Sequence, residues 1–319
     1  MSASTETPLS LALAATRLVE YTSAASIELP GVPARAFPSP CSGPSRVEAL
    51  DLSTELGHCP WPATSPNLLA SFVRVLAGES LEMRARATSS AYFVIRGAGS
   101  SATEHGLFPW SRGDLLVLPA CAEAVRHSAT EDATLYNVTD EPLLRYLGVT
   151  PSEPRCAPAL FTRAALLAAV EEVRHEQGAE HRNRLGVLLS NAATDSETRT
   201  LTPTLWALLN VLPPRTAQPP HRHNSVALDL CIDAAGGGKV YTAMGPELGE
   251  DGWVKDPVKM WWAPGACFTT PPGWWHSHHN ESGEEAWVLP MQDAGLFTRQ
   301  RTLDIRFSTA EPIRYPPEA

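Results

Sequence analysis

The sequence predicts an all-β protein made of two small barrels, with a helical arm at its start and a connector helix between the halves. Three observations predict it. Short apolar or alternating runs recur, each broken by Gly, Pro, Asp or Ser: LLASFVRVL, SAYFVIRGAGSS, GDLLVLPA and ATLYNVT in one half, and TPTLWALLNVLPP, VALDLCID, GKVYTAMG and TLDIRFS in the other. Proline is abundant, at 29 of 319 residues, which favours short strands and turns over helix bundles. The two halves also repeat one order of features. Each has a strand ending in VL, a polar turn and a strand closing on glycines. A W-x-x-G and a strand ending in proline follow, WSRGDLLVLP in one half and WAPGACFTTPP in the other, which reads as an internal duplication.

Residues 1–65 read as an arm. An amphipathic helix near Leu9–Tyr21 leads into an irregular, proline-rich stretch through PGVPARAFPSP. Residues 66–150 form the first barrel. Residues 151–195 form a helical linker around TRAALLAAVEEVRHEQG, with Thr162 as N-cap and Leu166, Leu167, Val170 and Val173 on one face. Residues 196–319 form the second barrel.

The totals exclude several classes. The formal net charge is −10 and no basic run stands out, so a nucleic-acid partner is not expected. No apolar segment is long enough for a membrane span, and the start lacks the basic region of a signal peptide. The six cysteines, Cys41, Cys59, Cys121, Cys156, Cys231 and Cys267, contain no CxxC pair. They fit reduced core thiols in a cytoplasmic protein.

The chemistry concentrates in QPPHRHNSVALDL, residues 218–230. His221 and His223 are two apart, so on a strand they point to one face. A second cluster lies in PPGWWHSHHN, with His276, His278 and His279. Five of the ten histidines thus fall in two short segments. On neighbouring strands, three such imidazoles make a facial site with open positions opposite, suited to Fe(II), Ni, Cu, Mn or Zn. Taken alone, HSHHN also fits a polar loop.

PPHRHNSVALDLCID, GGKVYTAMG and WAPGACFTTPPGWWHSHHN resemble the metal-binding motifs of the cupin superfamily. More narrowly they are similar to the bicupins of the gentisate 1,2-dioxygenase and salicylate dioxygenase group. The resemblance implies two cupin (double-stranded β-helix, jelly-roll) barrels and an Fe(II) held by His221, His223 and His276. It also implies a small aromatic substrate, O2 as co-substrate, and a homodimer or homotetramer. Where many cupins place an acidic ligand, this chain has Ala227 and Leu228, so the metal would keep its full charge. SSAYFVIRGAGSS and FPWSRGDLLVLPACAEAVRHS are similar to the group's other cupin. There the ligand positions fall on Arg84, Arg86 and Ala124, which implies a degenerate, metal-free first barrel, because arginine has no lone pair to offer. In the group it is the N-terminal cupin that holds iron; here it would be the C-terminal one.

An arginine that helps hold substrate in the group is replaced by Asp229, which shares the parity of His221 and His223. Asp229 either meets a protonated substrate group or serves from behind, pairing a base or orienting a ligand imidazole. His278 is a candidate catalytic acid or base, or a rim residue. Trp262 and Trp275 are candidate substrate walls, or core. The expected activity is a non-haem Fe(II) dioxygenase cleaving a salicylate-, gentisate- or aminophenol-like ring. The alternatives are a cupin lyase, hydrolase or isomerase using Zn, Ni or Mn without O2, and a non-enzymatic binder of small molecules.

Overall fold

The structure is a computed structural model that describes residues 7–25, 28–40, 42–57, 59–179, 182 and 184–317. Met1–Pro30 and Gly31–Ala319 are separate compact units. The first holds α1 (Pro8–Ala15) and α2 (Tyr21–Ala24). Thr7 Oγ1 caps α1 by accepting from the Ser10 N–H, with Pro8 in the first turn. The Glu20 carboxylate caps α2 through the N–H groups of Thr22 and Ser23. The single amphipathic helix expected over Leu9–Tyr21 is therefore two short helices. No residue of α1 is buried.

The second unit carries the strands. The sequence runs β1 (Ala36–Phe37), β2 (Arg46–Ala49), β3 (Leu69–Val75), β4 (Ser80–Met83), β5 (Ser89–Arg96), β6 (Ala98–Thr103), β7 (Gly106–Ser111), β8 (Leu115–Pro119), β9 (Val125–Ala129) and β10 (Ala133–Thr139). Then come α3 (Glu141–Leu147), β11 (Ala159–Phe161), α4 (Arg163–His175) and β12 (Leu185–Leu189). The second set is β13 (Trp206–Leu212), β14 (Thr216–Ala217), β15 (His221–His223), β16 (Ala227–Asp233), β17 (Val240–Gly245), β18 (Val258–Trp261), β19 (Cys267–Thr270), β20 (Trp275–Asn280) and β21 (Ala286–Gln292). The chain closes with α5 (Ala294–Gln300), β22 (Ile305–Phe307) and β23 (Ile313–Arg314).

Two sheets make each barrel. In the first, the order β11-β8-β5-β10-β3-β2 faces β4-β9-β6-β7. In the second, β1-β19-β16-β21-β13-β12 faces β18-β17-β20-β14-β23, with β15 between β20 and β22. The stretch expected to be irregular thus supplies β1 to the second barrel and β2 to the first. The connector α4 is as expected: Thr162 Oγ1 accepts from the Ala165 N–H, and Leu166 and Val170 are buried.

Strand alternation divides the core. Phe72, Ala91, Phe93, Leu115 and Tyr136 of the first barrel share one cluster with Leu209, Leu228, Leu230, Cys267 and Met291 of the second. The two large sheets therefore pack back to back. The opposite faces fill the barrels: Tyr92, Val94, Trp110 and Leu116 in the first, and Cys231, Met244, Trp262 and Phe268 in the second. Cys59, Cys121, Cys156, Cys231 and Cys267 are free thiols; Cys156, Cys231 and Cys267 are buried and the other two half-buried. Cys41 lies outside the described residues.

Candidate metal centre

Two prolines lead into β15, where His221 stands directly across from His276 of β20. Period two then puts His223 on the side of His221, and His278 on the side of His276. Ring centroids lie 4.1 Å apart for His221–His276, 4.9 Å for His223–His276 and 5.6 Å for His221–His223. One nitrogen from each of His221, His223 and His276 falls within 4.8 Å of the others.

The run HRHNSVALDL is not one strand. At Asn224–Val226 the chain turns a corner from one sheet to the other. Asn224 Nδ2 donates to the Thr302 carbonyl at 2.9 Å, and the Val226 N–H donates to Asp293 Oδ1 at 3.0 Å. Asp229, beyond the corner, still lines the same cavity as the three histidines. It is 2% exposed, and Thr270 Oγ1 donates to its Oδ2 at 2.5 Å. Burial pushes its carboxyl up to about 7.

The partners of each Nδ1 decide what the opposite nitrogen can do. His223 Nδ1 lies 2.8 Å from the Ser225 carbonyl, and His276 Nδ1 lies 3.1 Å from the Trp274 carbonyl. A carbonyl only accepts, so both rings carry hydrogen on Nδ1 and present an Nε2 lone pair. His221 differs, because the Arg184 guanidinium donates to its Nδ1. A metal held by His221 would displace this contact. At Nδ1 the guanidinium holds the coordination position, and ligation at Nε2 puts a proton on Nδ1 that arginine cannot accept.

Burial holds all these rings neutral. His223 falls to about 4 through burial, and His221, His276 and His278 lie well below the ordinary range, first through burial and then through the Arg184 charge or neighbouring imidazoles. Neutral imidazoles are what a metal needs. The donor set therefore fits a divalent metal: three neutral nitrogens, two of them already in the ligating tautomer. His279 points elsewhere, its Nδ1 2.7 Å from Tyr315 Oη and its Nε2 2.8 Å from Ser277 Oγ.

The cavity beside the histidines measures about 190 Å³. That is the scale of a single aromatic ring, since an engineered cavity of about 150 Å³ takes benzene. Trp206, Leu208 and Phe307 form apolar walls, and Arg184, Asn210, His278 and Gln292 bring polar groups. Phe307 stacks on His221 at 5.9 Å and is 55% exposed, which places it at an opening. Burial draws Arg184 down to about 9, still charged at neutral pH.

Of the residues singled out in the sequence, His221, His223, His276, His278 and Asp229 line this cavity. Trp262 and Trp275 do not. Trp262 packs in the core behind His278, ring centroids 5.5 Å apart. Trp275 alternates outward along β20, and the Arg222 guanidinium lies 5.2 Å from its ring. Arg184, Asn210, Trp206 and Phe307 were missed. The period-two run Trp206, Leu208, Asn210 could have flagged the β13 face, but nothing local marks Arg184, 37 residues before His221.

The first barrel needs a correction of register. Thr242 lies across from His278, and Ser101 across from His127. Val125 is therefore the counterpart of His276, not Ala124. Met83 pairs with Val125 as His221 pairs with His276, so Met83 and Ala85 replace the two histidines, not Arg84 and Arg86. A slip of one residue exchanges the faces of a strand. Arg84 instead reaches Glu123 at 3.4 Å, and Arg86 donates to the Val149 carbonyl at 2.6 Å. Among the described residues, Glu104, His105 and Cys121 also bring donor atoms close together. There Glu104 is spent on the Ala122 and Glu123 N–H groups, and His105 Nε2 on the Ala120 carbonyl.

Two jelly-roll barrels packed back to back, with histidines converging from adjacent strands of one, make a bicupin fold. It is the fold of salicylate 1,2-dioxygenase from Pseudoaminobacter salicylatoxidans. The adduct of that enzyme with gentisate superposes with a TM-score of 0.69 at 14% identity, covering 95% of this chain and 94% of the other. A single-site variant in complex with gentisate gives 0.68 at 14% identity, covering 96% of each chain. A curated 5-aminosalicylate 1,2-dioxygenase from Comamonas sp. is 39% identical over 74 residues, or 23% of this chain. The match spans about a fifth of that relative's length, 20%. No protein-family model matches the chain.

Proposed function

We propose that this chain is a non-haem Fe(II) dioxygenase that cleaves the ring of a small aromatic carrying a carboxylate beside a hydroxyl or amino group. One observation carries the reading: three neutral imidazoles converge on the wall of a single-ring cavity that also holds a half-buried guanidinium. His221, His223 and His276 are the ligands, all in the C-terminal barrel. When bound, the metal supplies redox-active Lewis acidity and open positions for substrate and O2. The protein's residues supply the rest. Arg184, drawn off His221 by metal loading, meets the substrate carboxylate. His278 gives a hydrogen bond to an anionic oxygen of the substrate. Asp229 faces an amino or hydroxyl group, where a buried carboxyl would repel a second carboxylate. Trp206, Leu208 and Phe307 exclude water around the ring. The salicylate and 5-aminosalicylate dioxygenases among the similar proteins support this substrate class.

The test is metal analysis with oxygen uptake across salicylate, gentisate, aminosalicylates, catechols and aminophenols. One iron per chain and stoichiometric oxygen consumption on a carboxylated substrate are expected. His223→Ala should abolish both metal and turnover. Turnover without oxygen, or retention of metal by His223→Ala, would sink the reading.

A further inference from the structure

One hydrogen-bonded trio occurs twice. In the second barrel, Thr242 Oγ1 lies 2.8 Å from His278 Nδ1, and Trp262 Nε1 donates to that same oxygen at 2.9 Å. In the first, Ser101 Oγ lies 2.8 Å from His127 Nδ1, and Trp110 Nε1 donates to it at 2.8 Å. The two tryptophans open the matching W-x-x-G stretches.

Donor and acceptor accounting settles the tautomer. An indole N–H can only donate, so the Thr242 oxygen accepts from it. Thr242 is fully buried, and among the described residues its hydroxyl proton has one acceptor within reach, His278 Nδ1. Giving that proton to Nδ1 leaves the neutral ring with its own hydrogen on Nε2. The alternative strands a buried hydroxyl proton. His276, two residues earlier on β20, is set the other way, because its Nδ1 faces a carbonyl. We propose that Thr242, held by Trp262, fixes His278 in the Nε2–H form and so makes it a hydrogen-bond donor to the cavity instead of a fourth metal ligand. Thr242 is a positioning residue in this scheme. Only the identity of what His278 meets, an anionic substrate oxygen, rests on the proposed dioxygenase reading. The tautomer does not.

The first barrel serves as an internal control. There the same trio is sealed: among the described residues His127 Nε2 is buried without a partner, and Tyr92 covers the ring at 4.7 Å. Tyr92 takes the place of Asp229, since Phe93 and Leu230 face the equivalent residues Leu115 and Cys267. With Met83 and Val125 in the ligand positions, the trio there has packing as its role.

The test is long-range proton–nitrogen NMR on the full chain with 15N-labelled histidine, metal-free and loaded with Zn(II). In the unmutated protein, His278 should show protonated Nε2 and bare Nδ1, with His276 the reverse. Thr242→Ser should keep that signature and Thr242→Val should lose it. The valine variant should retain its metal while kcat/KM falls by roughly 10²-fold, the scale of a lost proton donor. Ser101→Ala should leave turnover unchanged. An Nδ1–H form of His278 in the unmutated protein overturns the proposal, as does loss of metal from folded Thr242→Val. If the tautomers are as stated but no aromatic is cleaved, the dioxygenase reading fails and this inference stands.

Discussion

Asp229 and Arg184 line one cavity, and each has a measurable consequence. Burial holds the Asp229 carboxyl up at about 7, against 3.8 in the unfolded chain. Between those values the folded state binds a proton that the unfolded state does not, so stability falls as pH rises through that window. Metal-free protein should lose up to about 4 kcal/mol from this group between pH 4 and pH 8. The lowered histidines contribute a slope of opposite sign, so the reading is the difference between two proteins: relative to the unmutated protein, Asp229→Asn should gain stability between pH 4 and pH 8, by chemical denaturation at both pH values. A difference that stays constant with pH would contradict the burial argument. Arg184→Gln keeps a hydrogen-bonding side chain without the charge. It should raise KM for a carboxylated substrate roughly 10- to 100-fold, the scale of a lost charge-assisted hydrogen bond. Metal content should not fall, because the variant removes a positive charge beside the ligands.

Strand register decides which of these side chains meet. The period-two spacing of His221, His223, His276 and His278 was legible because alternation is a property of any strand. The same rule failed between Arg84 and Met83, where no histidine marks the inward face and an alignment can slip by one. Trp262 and Trp275 were left between substrate wall and core for a related reason, since a tryptophan's fate depends on which neighbour its face meets. The duplicated trio makes its own demand on the backbone. A Cβ on Gly99 would stand 2.2 Å from the Ser128 carbonyl oxygen and 2.6 Å from the Trp110 ring. Gly99→Ala should therefore destabilise the protein by about 3 kcal/mol through overpacking. Thermal unfolding would check it, and near-UV circular dichroism would report the displaced Trp110.

The two barrels share a core cluster between their large sheets, besides the cluster inside each. Tyr136 of the first is fully buried, and its Oη lies 3.1 Å from Cys267 Sγ of the second. The first barrel, without histidines at the ligand positions, thus supports the back of the sheet that carries Asp229. Tyr136→Ala should cost about 4 kcal/mol and lower the stability of both barrels together. A single unfolding transition, seen alike by tryptophan fluorescence and by far-UV circular dichroism, is expected. Two separated transitions would show that the barrels fold independently. By itself the sequence determined the strand pattern, the duplication and the histidine set, since these depend on spacing along one chain. Only the tertiary structure decided that Arg184 enters the cavity, that Tyr92 fills the other barrel and that two tryptophans stay out of the site. Those outcomes depend on which strand faces which across a barrel, and local spacing carries no record of that.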